Sequence, residues 1–306
     1  MSVAFLIEQL LNGVQFGVML FLMAAGLTLV FGVMGLINLA HGSLFMLGAF
    51  FCSYIAEITG SFWLGLGGGF LAAAAAGALI EVLVIRRLYD RDHLDQVLAT
   101  FALILIFSEL VRWVFGDQPL YLDIPPLLSG ALPLPGGGGY PVYRFAIILA
   151  GLATALGLYL LIAKTRLGMR IRAGESDREM IGALGVDIRT LYTAVFALGA
   201  ALAGFAGGMV GALQSVQVGM GEPVLILAFV VIVIGGIGSV KGALIGSVLV
   251  GLTDTLGRVF LPQAFKLVLP ASEATAVGSA LASVAIYLLM AVILAWRPKG
   301  LFPVNA

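Results

Sequence analysis

Apolar residues run along this chain in long unbroken stretches instead of alternating with polar ones as they do in the half-buried elements of soluble folds. Residues 9 to 56 contain no Asp, Glu, Lys or Arg. That is room for two helices, since a hydrocarbon core of about 30 Å needs roughly 20 apolar residues per crossing. Further charge-free windows cover 58 to 80, 145 to 163, 190 to 221 and 274 to 296, and less clean ones cover 94 to 115, 223 to 240 and 242 to 260. This makes about nine segments. The pattern predicts an all-α integral membrane protein, a polytopic bundle of about 8–9 transmembrane helices with broken helices and internal repeats. It reads as a single transmembrane domain over 1–306.

The stretch from 116 to 143 differs in kind. It holds six of the 11 prolines, the glycine run 136 to 139, and no Lys or Arg. Proline and glycine at membrane depth would leave backbone groups unpaired, so the stretch reads as an external loop. Asp117 and Asp123 in it are solvated loop charges or contacts for a partner's basic rim.

Composition closes other classes. At 61% hydrophobic and 10% charged, with mean hydropathy +1.12, the chain is too apolar for a soluble globular protein. A formal net charge of zero leaves no polybasic face for nucleic acid. The one cysteine, Cys52, lies in an apolar run and excludes a disulfide framework; with only two histidines the usual metal ligands are scarce, and no metal or other cofactor is expected. The 41 glycines are more informative, because many sit inside apolar stretches where small residues let helices approach closely.

The few basic residues orient the chain. Arg86, Arg87 and Arg91 share one loop, Lys164, Arg166, Arg170, Arg172, Arg178 and Arg189 another, and Arg297 with Lys299 the C-terminal end. The positive-inside rule makes these three places cytoplasmic. No basic residue precedes Arg86, which favours an outside N-terminus and offers no charged leader of a cleavable signal peptide.

Within the second basic stretch, about 164–189, Ser176 followed by Glu179 forms a capping-box pattern, with Asp177 well placed for the helix dipole. A short helix is expected from Asp177 to Leu184, stopped by Gly185 in a left-handed conformation. Met180, Ile181 and Leu184 would share one apolar face, suited to a partner protein or to the lipid surface. Glycine spacing adds two packing ridges, Gly199, Ala203, Gly207 and Gly211 with Gly204 and Gly208 beside them, and Gly238, Gly242 and Gly246.

Two glycine-flanked interruptions resemble one another: LVFGVMGLINLAHGSLFMLGAF over 29–50 and FVVIVIGGIGSVKGALIGSVLVG over 229–251. Breaks of this kind at depth are tolerated where they line a cavity, and in pairs they point to a transport pathway. Asn38, His41, Gly42 and Ser43 in the first, and Gly235, Gly236 and Ser239 with Lys241 in the second, are candidate pathway residues. Six crossings between the breaks imply parallel repeats; an inverted pair needs an odd number and a half-helix hidden near 219 to 236. Asn12, Gln15 and Thr28, and Gln214 with Gln217 at the outer end of the sixth helix, can hydrogen-bond a polar solute or a neighbouring helix. Glu109 with Arg112, and Asp254 with Arg258, sit at helical spacing and read as structural pairs.

The opening Asn12 to Phe50, the loop RLGMRIRAGESDREMIGALGVDI (Arg166 to Ile188) and VIGGIGSVKGALIGSVLVG over 233–251 together resemble the branched-chain, or hydrophobic, amino acid ABC importer permeases of the shorter LivH-like type. The resemblance covers nearly the whole chain. It implies a multi-pass subunit of a bacterial inner (cytoplasmic) membrane importer, without catalytic residues, that forms the pathway with a second, longer LivM-like permease. ATP hydrolysis would lie on two cytoplasmic ATP-binding subunits, and a periplasmic substrate-binding protein would deliver the solute. By the same resemblance Gly174, Glu175, Ser176, Asp177, Glu179, Met180, Ile181, Leu184 and Gly185 form the segment that docks on the ATPase. Ser43 stands where a carboxylate often follows the His-Gly pair in branched-chain members, so urea, short amides or aromatic acids are alternative solutes. A different class, an ion-coupled secondary transporter or channel using His41 or the paired carboxylates, is the competing reading.

Overall fold

The computed structural model describes residues 3–135 and 137–303, with the side chains of residues 178 and 179 outside that description. Helices dominate: α1 (Val3–Met34), α2 (His41–Thr59), α3 (Phe62–Leu83), α4 (His93–Phe115), α5 (Val142–Lys164), α6 (Arg166–Ser176), α7 (Arg178–Ala183), α8 (Ile188–Gly211), α9 (Gly221–Gly235), α10 (Val240–Phe265) and α11 (Ala271–Trp296). Eight of these are long and apolar enough to cross a membrane, and the apolar α9, at 15 residues, is the short exception. The chain is a multi-pass membrane protein, and the about nine windows read from hydropathy correspond to these nine helices. Between α4 and α5 the Pro- and Gly-rich stretch forms a small antiparallel hairpin of β1 (Ala131–Pro133) and β2 (Gly139–Pro141). Leu120 of the same stretch pairs with Val216.

The chain divides into two compact units. One comprises residues 22–125 and 154–227 and contains the interruption at Asn38; the other comprises 1–21, 126–153 and 228–306 and contains the interruption at Gly236. Helices α1, α5 and α9 each contribute to both.

In the Asn38 unit the glycines set how closely helices meet. A Cβ on Gly48 of α2 would fall on the backbone of Gly204 in α8, and one on Gly207 would strike the carbonyl of Phe45. Gly69 of α3 rests against the carbonyl of Gly48, and Gly26 of α1 against Gly199 of α8. Lipid tails are as apolar as leucine, so helix association here comes from close van der Waals contact, and small residues permit it. The expected ridge on α8 is thus a three-sided packing surface. In the Gly236 unit the same device joins α1 to α10, with Gly13 and Gly17 against Gly251 and Ser247, and α9 to α10, with Gly235 against Gly242.

Several local expectations are corrected. Ser176 is the last residue of α6, a helix that hydropathy did not reveal, and Asp177 caps α7 instead, accepting the Met180 N–H at 2.9 Å. Ser176 is still helical as the end of α6, whereas Asp177 has the extended backbone, φ −155° and ψ 101°, that an N-cap requires. Glu179, the other half of the expected capping box, has its side chain outside the described residues. Ile181 is 6% exposed while Met180 and Leu184 are 59% and 76% exposed, so the three do not form one free face. Gln214 and Gln217 lie beyond α8, which ends at Gly211.

Candidate functional site

The first interruption is a return of the chain along its own helix. α1 runs on to Met34, where Gly35 takes φ +66°, a left-handed conformation that stops the helix. The six residues 35–40 are non-helical, and α2 starts at His41. Yet the His41 Nε2–H donates to the carbonyl of Met23 at 3.2 Å. Met23 lies eleven residues before the end of α1, about 16 Å back at 1.5 Å per residue. The extended segment therefore carries the chain back to the middle of α1, and α2 begins at that depth. Backbone without helical bonds is tolerated there only if it is enclosed by protein or lines a polar path.

Buried polar side chains lie on this return and on α1 before it. Asn38 is 0% exposed; its Oδ1 accepts the Ala40 N–H at 3.0 Å, which closes the turn into α2, while its Nδ2 has no partner among the described residues. Thr28 of α1 is equally buried, and its hydroxyl also lacks a partner among the described residues. Such groups are rare because an unmade buried hydrogen bond costs about 1–3 kcal/mol. His41 is fixed as the Nε2–H tautomer, since a carbonyl can only accept. Gly42 touches Gly221 at the start of α9 so closely that a Cβ would lie 2.9 Å from its carbonyl oxygen, and Ser43 is buried in the first turn of α2. Thr28, Asn38, His41, Gly42 and Ser43 thus belong to one compact unit around one break.

The remaining expected pathway residues belong to the other unit, where the second break is built differently. Gly236–Ser239 form a tight turn between α9 and α10. The Ser239 hydroxyl accepts the Gly242 N–H at 3.0 Å as the α10 cap, and Lys241 Nζ sits 5.0 Å from the centre of the Phe302 ring. The last carbonyls of α9 are taken by the end of the chain: Leu301 N–H donates to Ile234 and Phe302 N–H to Gly235, both at 2.9 Å. Asn12 accepts from Arg144 of α5 at 2.7 Å, and the Gln15 amide contacts Met19 one turn along. The two intramembrane pairs form as expected, Glu109–Arg112 at 2.5 Å and Asp254–Arg258 at 2.8 Å, and Asp117 joins the former at 2.7 Å.

The 164–189 segment is two short helices. In α6, Gly168 packs on the carbonyls of Leu161 and Ile162, Gly174 is buried, and burial raises the Glu175 carboxyl above its ordinary value. Gly185 takes φ +88° and ends α7 as expected. Asp187 then caps α8, accepting from the Arg189 N–H at 3.0 Å and the Thr190 hydroxyl at 2.5 Å; the Thr190 bonds hold its carboxyl below the usual range.

Beside it lies a cluster of polar side chains that the hydropathy pattern does not mark. Glu81, fully buried near the end of α3, accepts from Arg86 at 3.0 and 3.3 Å, from the Tyr89 hydroxyl, and from Thr193 of α8 at 2.5 Å. Glu81 supports the charged form of Arg86, while burial first and Glu81 second push the Tyr89 phenol well above its ordinary value. In the sequence its one signal is an acid closing an apolar window five residues before the first arginine.

A family model described as branched-chain amino acid transport system / permease component matches residues 9–294. The chain belongs to this family. The permease is similar to the high-affinity branched-chain amino acid transport system permease protein LivH of Escherichia coli K12, 29% identical over 86% of this chain and 89% of that protein. It is also similar to BraD of Pseudomonas aeruginosa, 29% identical over 85% and 89%. LivM of Escherichia coli K12 is 25% identical over 93% of this chain and 68% of that protein. No solved structure matches the permease.

Proposed function

We propose that this permease is the membrane subunit of a bacterial inner-membrane ABC importer for branched-chain or other hydrophobic amino acids, lining the pathway together with a second permease and driven by separate ATPase subunits. One observation carries the reading: a break at the depth of mid-α1 that holds His41 and the buried Asn38 amide nitrogen, in the same compact unit as the buried Thr28 hydroxyl, the last two without a partner among the described residues. These are the groups a passing zwitterion would need as it leaves water. The solute class follows the names of the relatives, and two of them, LivH and LivM, are permeases of the same named transport system in one organism, which supports a paired arrangement.

Topology agrees with this reading. If the loops after α3 and α5 and the end after α11 are cytoplasmic, an even number of crossings must separate the last two. The long helices α8, α10 and α11 supply three, so the short α9 supplies the fourth. The N-terminus is then outside and the 164–189 segment faces the ATPases, with Met180 and Leu184 as its exposed apolar contacts.

The test uses the complete transporter in vesicles. Asn38→Ala and His41→Ala lower solute uptake about tenfold or more, a loss of the order of one charge-assisted hydrogen bond, while the subunits still co-purify. Wild-type uptake by both variants, or uptake that a proton ionophore abolishes while ATP stays plentiful, overturns the proposal. Binding of leucine, urea and aromatic acids to the partner binding protein then assigns the solute.

A further inference from the structure

We infer that Glu81, Arg86, Tyr89 and Thr193 form a positioning joint that makes α3 and α8 move as one body when the 164–189 segment is displaced; the inference rests on the proposed docking of that segment on the ATPase. Both carboxylate oxygens of Glu81 are used. Arg86 and Tyr89, on the turn after α3, grip it from one side, and Thr193 of α8 donates to it from the other while accepting from Arg86 at 2.9 Å. The Tyr89 ring also stands edge-on to Tyr192 of α8, with centroids 5.0 Å apart.

A carboxylate removed from water is a poor way merely to hold two helices together, because apolar packing does so without the desolvation penalty. What a saturated set of charge-assisted hydrogen bonds adds is a single register and angle, since sliding by part of a turn breaks several bonds at once. The position of the joint matches that role. Four residues, Leu184–Asp187, separate α7 from α8, and Asp187 is bonded into the first turn of α8. A push on α7 therefore arrives at α8 within one turn of Thr193. Through Glu81 the load passes to α3, and α3 is seated through Gly69 on Gly48 of α2, the helix that begins at the Asn38–His41 break. Because α8 itself meets α2 at Gly204 and Gly207, what the joint adds is a fixed angle of α3 against α8 while both helices carry α2.

The decisive variant is Thr193→Val, which removes the α8 bond and leaves the Arg86–Glu81 pair in place, whereas truncating Glu81 strands Arg86 and Tyr89 and disturbs folding itself. The complete transporter, with its partner permease, ATPase subunits and binding protein, is reconstituted in liposomes, and uptake and ATP hydrolysis are measured together. Thr193→Val keeps the ATPases bound and hydrolysing while solute moved per ATP falls about tenfold, and Thr193→Ser restores the ratio. An unchanged ratio, or uptake and hydrolysis falling together in proportion to assembled complex, overturns the joint and leaves docking intact. If Met180→Asp and Leu184→Asp leave the ATPases bound, docking fails and the joint falls with it.

Discussion

At Thr28 and Asn38 a single buried polar atom allows stability and the proposed pathway role to be tested apart. A buried hydroxyl without a partner weakens the fold, so replacing Thr28 by the nearly isosteric valine leaves stability unchanged or raises it by up to about 1 kcal/mol. If that hydroxyl serves the solute, uptake falls at the same time. Thermal denaturation of the purified permease, set beside uptake in vesicles, checks both signs; lower stability with normal uptake would make Thr28 a packing residue. The sequence marked both residues as polar groups in an apolar run, and their lack of partners became visible only once the surrounding helices were in place.

Among elements, the glycines divide by what faces them. Gly48 of α2 meets the backbone of Gly204, so neither helix can yield to a side chain without moving bodily. Gly48→Val should destabilise by about 1–3 kcal/mol, the usual range for overpacking, and should lower the yield of folded permease. Among the described residues, and apart from its own helix's backbone, Gly157 of α5 has nothing within 4 Å of the position a Cβ would take. Gly157→Ala should therefore stabilise by about 0.5–1 kcal/mol through helix propensity. Equal effects of the two changes on thermal stability would remove the packing account. The four-residue spacing on α8 was legible in the sequence; that three different helices use it was not, because spacing identifies a smooth face and not its neighbours.

For the whole molecule, the proposed docking of the 164–189 segment is tested by taking its residues separately. Met180 and Leu184 are exposed, so Met180→Asp and Leu184→Asp should leave the permease folded while co-purification of ATPase drops about tenfold or more, as for loss of an apolar interface anchor. Ile181 is buried against its own chain, and Ile181→Asp should instead cost about 2–5 kcal/mol and reduce the amount of permease itself. Retained ATPase in the first two variants would return the segment to the lipid surface. Leu301 and Phe302 donate to the carbonyls of Ile234 and Gly235, so residues some sixty positions beyond α9 close the second break.

Hydropathy and the placement of sixteen basic residues were enough to determine a multi-pass helical protein, its about nine segments, two interrupted places and a capped helix between α5 and α8. Each of these is a one-dimensional property: a length, a spacing, or a charge beside a run. Tertiary structure decided the rest. It made the first interruption a return to mid-α1 and the second a tight turn closed by the chain end, although the two segments read alike. It moved the α7 cap from Ser176 to Asp177, buried Ile181, and drew Glu81, Arg86, Tyr89 and Thr193 into one cluster across more than a hundred residues. The physical reason is the same in each case: whether a polar or apolar atom is satisfied depends on what packs against it, and in a helical membrane protein that neighbour is distant in sequence.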